Sequence, residues 1–335
     1  MKTFWVAIIM LVATSSQAQI PNQVCLATCV SVDKPKLRVV ALNWSVAEML
    51  LTLGIEPIGA PQINGYKKWQ TNHPAIGDHV LDIGRRQEPS LAAIASLKPD
   101  LIVGYQFRHQ RLLPQLEQIA PTLLYRQYAS SDERSFNYFD QSLRVFKAIA
   151  KVTGNSEQGE VIVEALYQTL AKLRQRLQYS QPITYAKFVG MGYGLRVFSD
   201  NSLAGQIIRR LGLNYHWTQA LPGKDFTHLT IEQLPQLNNS LVLLAGDQAN
   251  SEYITASPVW KTLPFVRDQH IEPVEPLWSF GGPVSIERMA RAFTQAIEAH
   301  SHSANLKSVH SPDTHSLDTH SPEGSAEQFS GAEHG

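Results

Sequence analysis

Hydrophobic positions between residues 37 and 60 follow two different periods, one after the other. The segment LRVVALNWSVAEMLLTLGIEPIGA begins with an apolar run typical of a buried strand, and apolar residues then recur at helical spacing from Val46 to Leu53. Ser45 is the predicted N-cap of this helix, and Gly54 is predicted to end it. The segment therefore predicts a strand, a turn and an amphipathic helix, with a further strand beginning at Ile55.

A second unit of the same kind lies between residues 91 and 103. Its first part, LAAIASLKPD, has helical spacing, and the apolar run Leu101 to Val103 that follows reads as a buried strand. Strands that alternate with helices are typical of parallel α/β architecture. We therefore predict an α/β fold for this part of the chain.

Both units recur later in the sequence. RVFSDNSLAGQIIRRLGL begins at Arg196, and it repeats the pattern of RVVALNWSVAEMLLTLGI, which begins at Arg38. Likewise, IEQLPQLNNSLVL, from Ile231, repeats LAAIASLKPDLIV, from Leu91. A period this long does not fit a solenoid. It predicts two α/β lobes of similar plan.

Between the two lobes, apolar residues from Ile162 to Leu177 form one helical stripe within a segment that runs from about Ser156 to Tyr179. Such a helix would span roughly 36 Å and would bridge both lobes along one side. We expect a single stiff connector to limit the lobes to a few degrees of rocking. The predicted division is a signal peptide (1–18), an N-terminal extension (19–36), an N-terminal lobe (37–154), a bridging helix (155–180), a C-terminal lobe (181–299) and a disordered tail (300–335).

The two ends of the chain differ from the rest in composition. MKTFWVAIIMLVATSSQAQ has a basic residue, a short apolar run and a small-x-small motif that ends at Ala18. This pattern is typical of a secretory signal peptide, and the apolar run is too short to span a bilayer. We therefore expect an exported protein, periplasmic in a Gram-negative host. The last segment is rich in Ser, His, Gly and Pro and is expected to be disordered.

Charge and cysteine content narrow the function further. The chain has 29 basic and 29 acidic residues, so no excess of positive charge indicates a nucleic-acid partner. Cys25 and Cys29 lie close together, which favours a local disulfide over a CxxxC metal site in an exported protein. The histidines of the lobes lack zinc-type spacing, so we expect no metal bound directly by the protein.

Loops at the predicted strand ends carry several aromatic residues, as well as the pair Arg85 and Arg86. A cleft between two lobes is a common ligand site, and such loops would line it. For the arginine pair, a solvent-exposed salt bridge to Asp82 or Glu88 is the simpler alternative. The glycine run GMGYG lacks the spacing of a dinucleotide loop, and there is no GxSxG motif. A binding protein is thus favoured over an enzyme.

Seven segments, in order from residue 37 to 299, resemble the ferric hydroxamate siderophore-binding proteins of ABC importers. They are RVVALNWSVAEMLLTLGIEPIGA, the segment around Trp69, LDIGRRQEPSL, LKPDLIV, VFSDNSLAGQIIRRLGL, SPVWKTLPFVRDQHI and LWSFGG. The resemblance implies the class III, chelatase-like fold of the helical-backbone periplasmic binding proteins. It also implies capture of a ferric siderophore, which brings its own iron ligands, so that no cofactor is needed.

The same resemblance implies roles for individual residues. Arg86 would donate hydrogen bonds to the iron-coordinating oxygens, and Tyr105 would assist it, although the strict match to the family's tyrosine falls on Arg108. The remaining expected ligand-binding residues are aromatic: Trp44, Trp69, Trp278 and Phe280, the last in place of a tyrosine. A further family tryptophan falls near Lys224, and Trp217 is its expected substitute.

Delivery to an inner-membrane ABC permease and its ATPase would use one acidic residue on each lobe, and a monomer is expected. Glu232 matches the family on the C-terminal lobe, whereas the N-terminal match falls on Ala92. The nearby Glu88 is the expected substitute, with an ordinary surface charge as the alternative. The alternative function is the same fold with another ligand: a catecholate siderophore, haem or cobalamin. A tris-catecholate chelate carries three negative charges, so it would require a cluster of basic residues. The sequence shows no such cluster, although Arg108, Arg111 and Lys224 leave this alternative open.

Overall fold

The computed structural model describes residues 23–31, 33–130, 133, 136–189, 194–246, 248–275 and 277–309. The predicted signal peptide (1–18), residues 190–193 of the GMGYG run and the tail from residue 310 lie outside the described residues. Within these ranges, no helix combines the length and the apolar character needed to cross a membrane.

The N-terminal lobe is built on a five-stranded parallel sheet with the strand order β5-β4-β3-β6-β7. A short hairpin precedes the sheet, and the disulfide between Cys25 and Cys29 closes it, as the sequence favoured. The strands are β1 (Gln23–Cys25), β2 (Cys29–Ser31), β3 (Val39–Ala41), β4 (Gly59–Ala60), β5 (Leu81–Asp82), β6 (Leu101–Tyr105) and β7 (Thr122–Tyr125). The helices are α1 (Trp44–Thr52), α2 (Ile63–Trp69), α3 (Leu91–Ser96), α4 (Gln106–His109), α5 (Leu113–Glu117) and α6 (Tyr138–Val152), with a 3₁₀ turn at Gln110–Leu112.

The N-cap of helix α1 lies two residues before the predicted cap. Asn43, in extended conformation, is the N-cap, and its Oδ1 accepts a hydrogen bond of 3.0 Å from the backbone N–H of Val46. The prediction of Ser45 as the cap was therefore wrong: Ser45 is buried inside the first turn, where its hydroxyl pairs with that of Tyr105. The end of the helix is as predicted, because Gly54 follows it with φ +72°, which favours glycine.

The connecting helix α7 (Ser156–Arg176) has 21 residues and a length of about 31 Å. It packs against α6 and against the last of the described helices. The stripe that the sequence predicts is buried, including Val163, Leu166 and Leu170. It ends earlier than residue 180, because the backbone becomes extended at Leu177.

The C-terminal lobe contains a second five-stranded sheet, with the order β10-β9-β8-β11-β12. Its strands are β8 (Ile183–Phe188), β9 (Leu195–Phe198), β10 (Phe226–Leu229), β11 (Leu241–Ala245) and β12 (Ile271–Val274). β8, β11 and β12 are parallel, whereas β9 runs antiparallel to both β8 and β10. The expectation of parallel pairing is thus wrong for β9 and β10. The connection from β8 to β9 is too short for a helical crossover, so the chain makes a hairpin instead.

The helices of this lobe are α8 (Leu203–Arg210), α9 (Gln248–Thr255), α10 (Pro258–Thr262), α11 (Pro264–Arg267) and α12 (Pro283–Val309), with a 3₁₀ helix at Ile231–Leu237. Helix α12 packs against α7, α8 and β12 and also reaches α1 of the other lobe. It continues ten residues past residue 299, so the expected start of the disordered tail at residue 300 was too early.

A buried carboxylate joins the two lobes where α12 begins. Glu48 of α1 is fully buried, and its Oε1 accepts hydrogen bonds of 3.0 Å from the backbone N–H groups of Gly282 and Ser285. Its Oε2 accepts from Gln70 Nε2 at 2.9 Å and from Ser285 Oγ at 2.5 Å. A Cβ added at Gly281 would lie 2.2 Å from Glu48 Oε2, so this close approach requires the glycine. Residues of both lobes also share one hydrophobic cluster.

Candidate ligand-binding cleft

A cavity of about 340 Å³ lies between the two lobes. Trp44, Trp69 and Arg86 line it from the N-terminal lobe, and side chains of β8 and β9 line it from the C-terminal lobe. The segment that leads into α12 closes one side with Trp278 and Phe280. Five of the seven ligand-binding residues predicted from the sequence therefore meet in one cavity.

Arg86 is half-buried and lies against aromatic rings. Its guanidinium carbon is 3.7 Å from the ring centre of Trp44 and 5.4 Å from that of Trp278. Its Nε donates a hydrogen bond of 2.9 Å to Gln62 Oε1. Burial, together with the positive charge of Arg108, lowers the pKa of Arg86 from its usual value. The two terminal nitrogens have no acceptor among the described residues, so they are available to a ligand in the cleft.

The loop that carries Arg86 is shaped by the preceding Asp-x-Gly motif. The Asp82 carboxylate accepts hydrogen bonds from the backbone N–H groups of Gln62, Ile63 and Gly84. Gly84 has φ +92°, a conformation that favours glycine. Within the described ranges, no carboxylate pairs with Arg86, so the alternative of a salt bridge to Asp82 or Glu88 is wrong for this residue. Arg85, its neighbour, is exposed.

His109 fixes the backbone at Arg86, a role that the sequence did not reveal. The ring is fully buried, and its Nδ1 accepts a hydrogen bond of 3.1 Å from the backbone N–H of Tyr105. The other nitrogen, Nε2, must therefore carry the proton, and it donates to the Arg86 carbonyl oxygen at 3.0 Å. Burial lowers the pKa of His109, which favours this neutral form. A Cβ at Gly104 would lie 2.6 Å from Nδ1, so the histidine needs this glycine.

The tryptophan N–H groups are bound by the protein itself, which fixes the orientation of the rings. Trp44 Nε1 donates to the Pro61 carbonyl oxygen at 2.9 Å, and Trp278 Nε1 donates to Ser45 Oγ at 3.1 Å. The rings of Trp44 and Trp278 lie 4.8 Å apart at their centres, and Phe280 is 5.7 Å from Trp278. The aromatic surface of the cleft is thus preformed.

Two predicted site residues lie outside this cavity. Tyr105 is only 7% exposed, and its hydroxyl is 2.9 Å from Ser45 Oγ, the atom that accepts from Trp278. Through Ser45 it supports the Trp278 ring, and it lines a smaller cavity next to the main cleft rather than the main cleft itself. Trp217 is 4% exposed and belongs to the hydrophobic core of the C-terminal lobe. Its expected role as a ligand residue is therefore corrected: its ring packs in the core of the C-terminal lobe, and it is not among the residues that line the cleft.

Two cations of the C-terminal lobe line the cleft and were missed in the sequence. Lys187, on β8, donates to the Leu277 carbonyl oxygen, and burial together with the charge of Arg196 lowers its pKa to about 7. Arg196, on β9, lies over the Phe226 ring at 4.3 Å and donates from Nε to His228 Nε2 at 3.2 Å. The sequence signal that could have revealed them is a basic residue within an otherwise apolar strand. Such a residue places a charge on a sheet whose other side chains are mostly buried.

A buried carboxylate lies close to these cations. Asp225 is fully buried, and neither of its oxygens has a hydrogen-bond partner among the described residues. Burial raises its pKa to about 7, against the opposing charges of Arg196, Lys224 and Lys187. The described residues contain no cluster of three or more His, Cys, Asp or Glu side chains that could hold a metal ion. The chemistry of the cleft is that of an aromatic surface with cationic hydrogen-bond donors.

The acidic residues predicted to contact a permease are on the surface. Glu88 is exposed next to the Arg86 loop, and Glu232 is exposed at the start of the 3₁₀ helix Ile231–Leu237. A hydrogen bond of 2.6 Å from Thr230 Oγ1 holds the Glu232 carboxylate and lowers its pKa. Their role in docking stays a prediction.

Comparisons with known proteins agree with this geometry. Residues 39–272 match the family model described as "Periplasmic binding protein". The iron(3+)-hydroxamate-binding protein FhuD of Escherichia coli is 26% identical over 274 residues, which cover 78% of this chain and 86% of that protein. The Fe(3+) dicitrate-binding periplasmic protein FecB of Escherichia coli is 26% identical over 250 residues, covering 73% of this chain and 79% of FecB.

A solved structure is similar over almost its full length. The siderophore-binding protein FhuD of Vibrio cholerae, bound to Fe³⁺-Desferal, is 30% identical, with a TM-score of 0.72 over 79% of this chain and 98% of that chain. These relatives are all named as binding proteins, which confirms the prediction of a binding protein rather than an enzyme. The two-lobed α/β fold with a long connecting helix is confirmed as well. The chain belongs to the periplasmic binding protein family.

Proposed function

We propose that this protein captures a ferric siderophore of the hydroxamate type in the interlobe cleft. It is exported to the periplasm by residues 1–18 and delivers the chelate, as a monomer, to an inner-membrane ABC permease and its ATPase. The observation that carries the proposal is Arg86, which is held on the Trp44 ring with its terminal nitrogens free at the cavity. The named ligands of FhuD relatives from two organisms support it.

The chemistry of a ferric hydroxamate suits this cleft. The iron is already coordinated by its chelator, so the protein needs donors for the chelate oxygens rather than metal ligands. Charge-assisted hydrogen bonds from Arg86 contribute about 1.5–3 kcal/mol each. A buried aromatic side chain covers ~150–250 Å², which is worth at most about 4–6 kcal/mol at ~25 cal/mol per Å². Trp69 and Trp278, which stay partly exposed at the cavity, would then provide most of the affinity, and Arg86 the orientation. Trp44 is already buried and would act by supporting Arg86.

A more anionic ligand is the second candidate, and the basic side chains of the cleft favour it. Arg86, Lys187 and Arg196 line the cavity, and no acidic side chain is among its described lining residues. Relatives named for dicitrate and for enterobactin are also similar to this chain. A catecholate or citrate chelate would meet favourable charge here. The aromatic surface would also suit haem or cobalamin, but neither of these ligands would explain why three basic side chains line the cavity.

Quenching of tryptophan fluorescence tests the ligand directly, because three tryptophans line the cavity. The probes are ferric Desferal, ferric citrate, a ferric tris-catecholate, haem and cobalamin, each compared with its iron-free form where one exists. We expect ferric Desferal to quench at micromolar concentration or below, with no effect of the iron-free chelator. Equilibrium dialysis with radioactive iron controls for light absorption by the chelates. Binding of haem or cobalamin without binding of any ferric siderophore would refute the proposal.

A further inference from the structure

A second, much smaller cavity of about 30 Å³ adjoins the cleft. It shares Arg86, Trp278 and Phe280 with the main cavity, so the two spaces meet at these side chains. Asn43 and Arg108 also line it. It is about a tenth the size of the main cavity, so it can take a small polar group of a ligand but not a whole ferric chelate.

Two of the residues that line this small cavity carry a buried donor without an acceptor. Asn43 is fully buried, and its Nδ2 has no hydrogen-bond partner among the described residues. The amide cannot be turned round, because Oδ1 caps α1 by accepting from the backbone N–H of Val46 at 3.0 Å. Arg108 Nη1 is also buried without a partner there. Unpaired buried donors are rare in native proteins, and two at one cavity indicate a missing acceptor.

The charges around the cavity indicate that the missing acceptor is negatively charged. Arg86 and Arg108 both line it, and their mutual repulsion contributes to the lowered pKa of Arg86. No acidic side chain lines this cavity, and no ion pair of either arginine occurs within the described ranges. The rest of its wall is formed by Gln127 and by the aromatic side chains of Tyr105, Tyr128, Trp278 and Phe280. A largely apolar wall lowers the local dielectric constant and makes an unbalanced charge more costly. An anion would satisfy both the charges and the unpaired donors.

We propose that the cavity between Arg86, Arg108 and Asn43 is a subsite for a carboxylate that projects from the ferric chelate. The proposal rests on the proposed function and refines it: the preferred ligand is a ferric hydroxamate that also carries a free carboxylate. The hydroxamate oxygens themselves belong to a bulky iron complex that cannot enter about 30 Å³. A carboxylate has two oxygens in one plane, which suits the fork of an arginine.

Two acyl derivatives of Desferal form a matched pair of probes. Acetylation of its terminal amine gives a neutral end, and succinylation gives the same amide with one added carboxylate, while the three hydroxamates stay unchanged. We expect the ferric succinyl derivative to bind at least tenfold more tightly than the ferric acetyl derivative, which corresponds to about 1.4 kcal/mol. Equal affinities would overturn the subsite. Binding of neither derivative would instead contradict the proposed function.

Variants test whether the preference arises at this cavity. Arg108→Gln removes the second charge, and Asn43→Asp keeps the acceptor that caps α1 while it replaces the free donor with an internal anion. We expect both to reduce the tenfold preference to less than twofold. Arg111→Gln is the matched control, because Arg111 is an exposed arginine three residues away, and it should keep the preference. A preference that survives in Arg108→Gln and Asn43→Asp, or a crystal structure of the succinyl complex with only water in the cavity, would refute the proposal.

Discussion

Replacement of Arg86 by methionine is the sharpest test of the main cleft. The guanidinium is 3.7 Å from the Trp44 ring centre, and its two terminal nitrogens have no acceptor among the described residues. Methionine keeps an apolar cover on Trp44 and removes the donors. Loss of one charge-assisted hydrogen bond, about 1.5–3 kcal/mol, should weaken binding of ferric Desferal roughly 10- to 150-fold. Isothermal titration or tryptophan quenching measures the change.

Arg85→Met is the control for this experiment, because it removes the same charge from an exposed neighbour in the same loop. It should change the affinity less than twofold, since a solvent-exposed charge contributes little. The stability of the Arg86→Met variant should stay close to that of the parent chain. The variant loses the hydrogen bond to Gln62, but it also no longer has the unfavourable half-buried charge, and the two effects offset each other. If Arg86→Met binds as tightly as the parent, Arg86 does not anchor the ligand.

Three further predictions concern the lobes, the pH dependence and the permease. Glu48→Ala should lower the free energy of unfolding in urea by about 3–5 kcal/mol, because several buried donors lose their acceptor; a loss below about 1 kcal/mol would contradict this. The affinity for ferric citrate should fall as the pH rises through about 7, because Lys187 loses its proton while Asp225 gains a negative charge. Lys187→Met should weaken this dependence of affinity on pH. An unchanged dependence would show that Lys187 is not its cause. In reconstituted vesicles, Glu232→Lys or Glu88→Lys should reduce transport without reducing binding, and normal transport by both variants would refute docking through these residues.

The features that could be predicted from the sequence are those with a local signal. The stripe around Val163 and Leu166 identified the long helix, and the loop position of Trp278 and Phe280 indicated exposure to a cleft. Pairing direction was harder, because the Arg38 and Arg196 segments look alike although one strand is parallel to its neighbours and the other antiparallel. Trp217 misled for a similar reason: a tryptophan in a loop segment can still fold back into the core.

The charge of the cleft needed the three-dimensional structure. Lys187 and Arg196 lie nine residues apart in the chain, on the two strands of one hairpin, and face Arg86 from the other lobe. Arg108 comes from a third segment, after β6. A chain with 29 basic and 29 acidic residues gives no hint of such a local excess. Sequence analysis therefore underestimated how anionic a ligand the cleft would favour.

The contacts between the lobes hold the charged and aromatic groups of the cleft in fixed positions. Glu48 connects α1 to the start of α12, the hydrophobic cluster continues through both lobes, and α7 packs along them. The tryptophan N–H groups and the Arg86 backbone are likewise fixed by the protein itself. Because these groups are already ordered, a chelate that binds should pay little for their immobilisation. Affinity should then depend on how well the oxygens and charges of the chelate match donors in fixed positions. Discrimination between ferric chelates of similar size should accordingly depend on where each carries its negative charge.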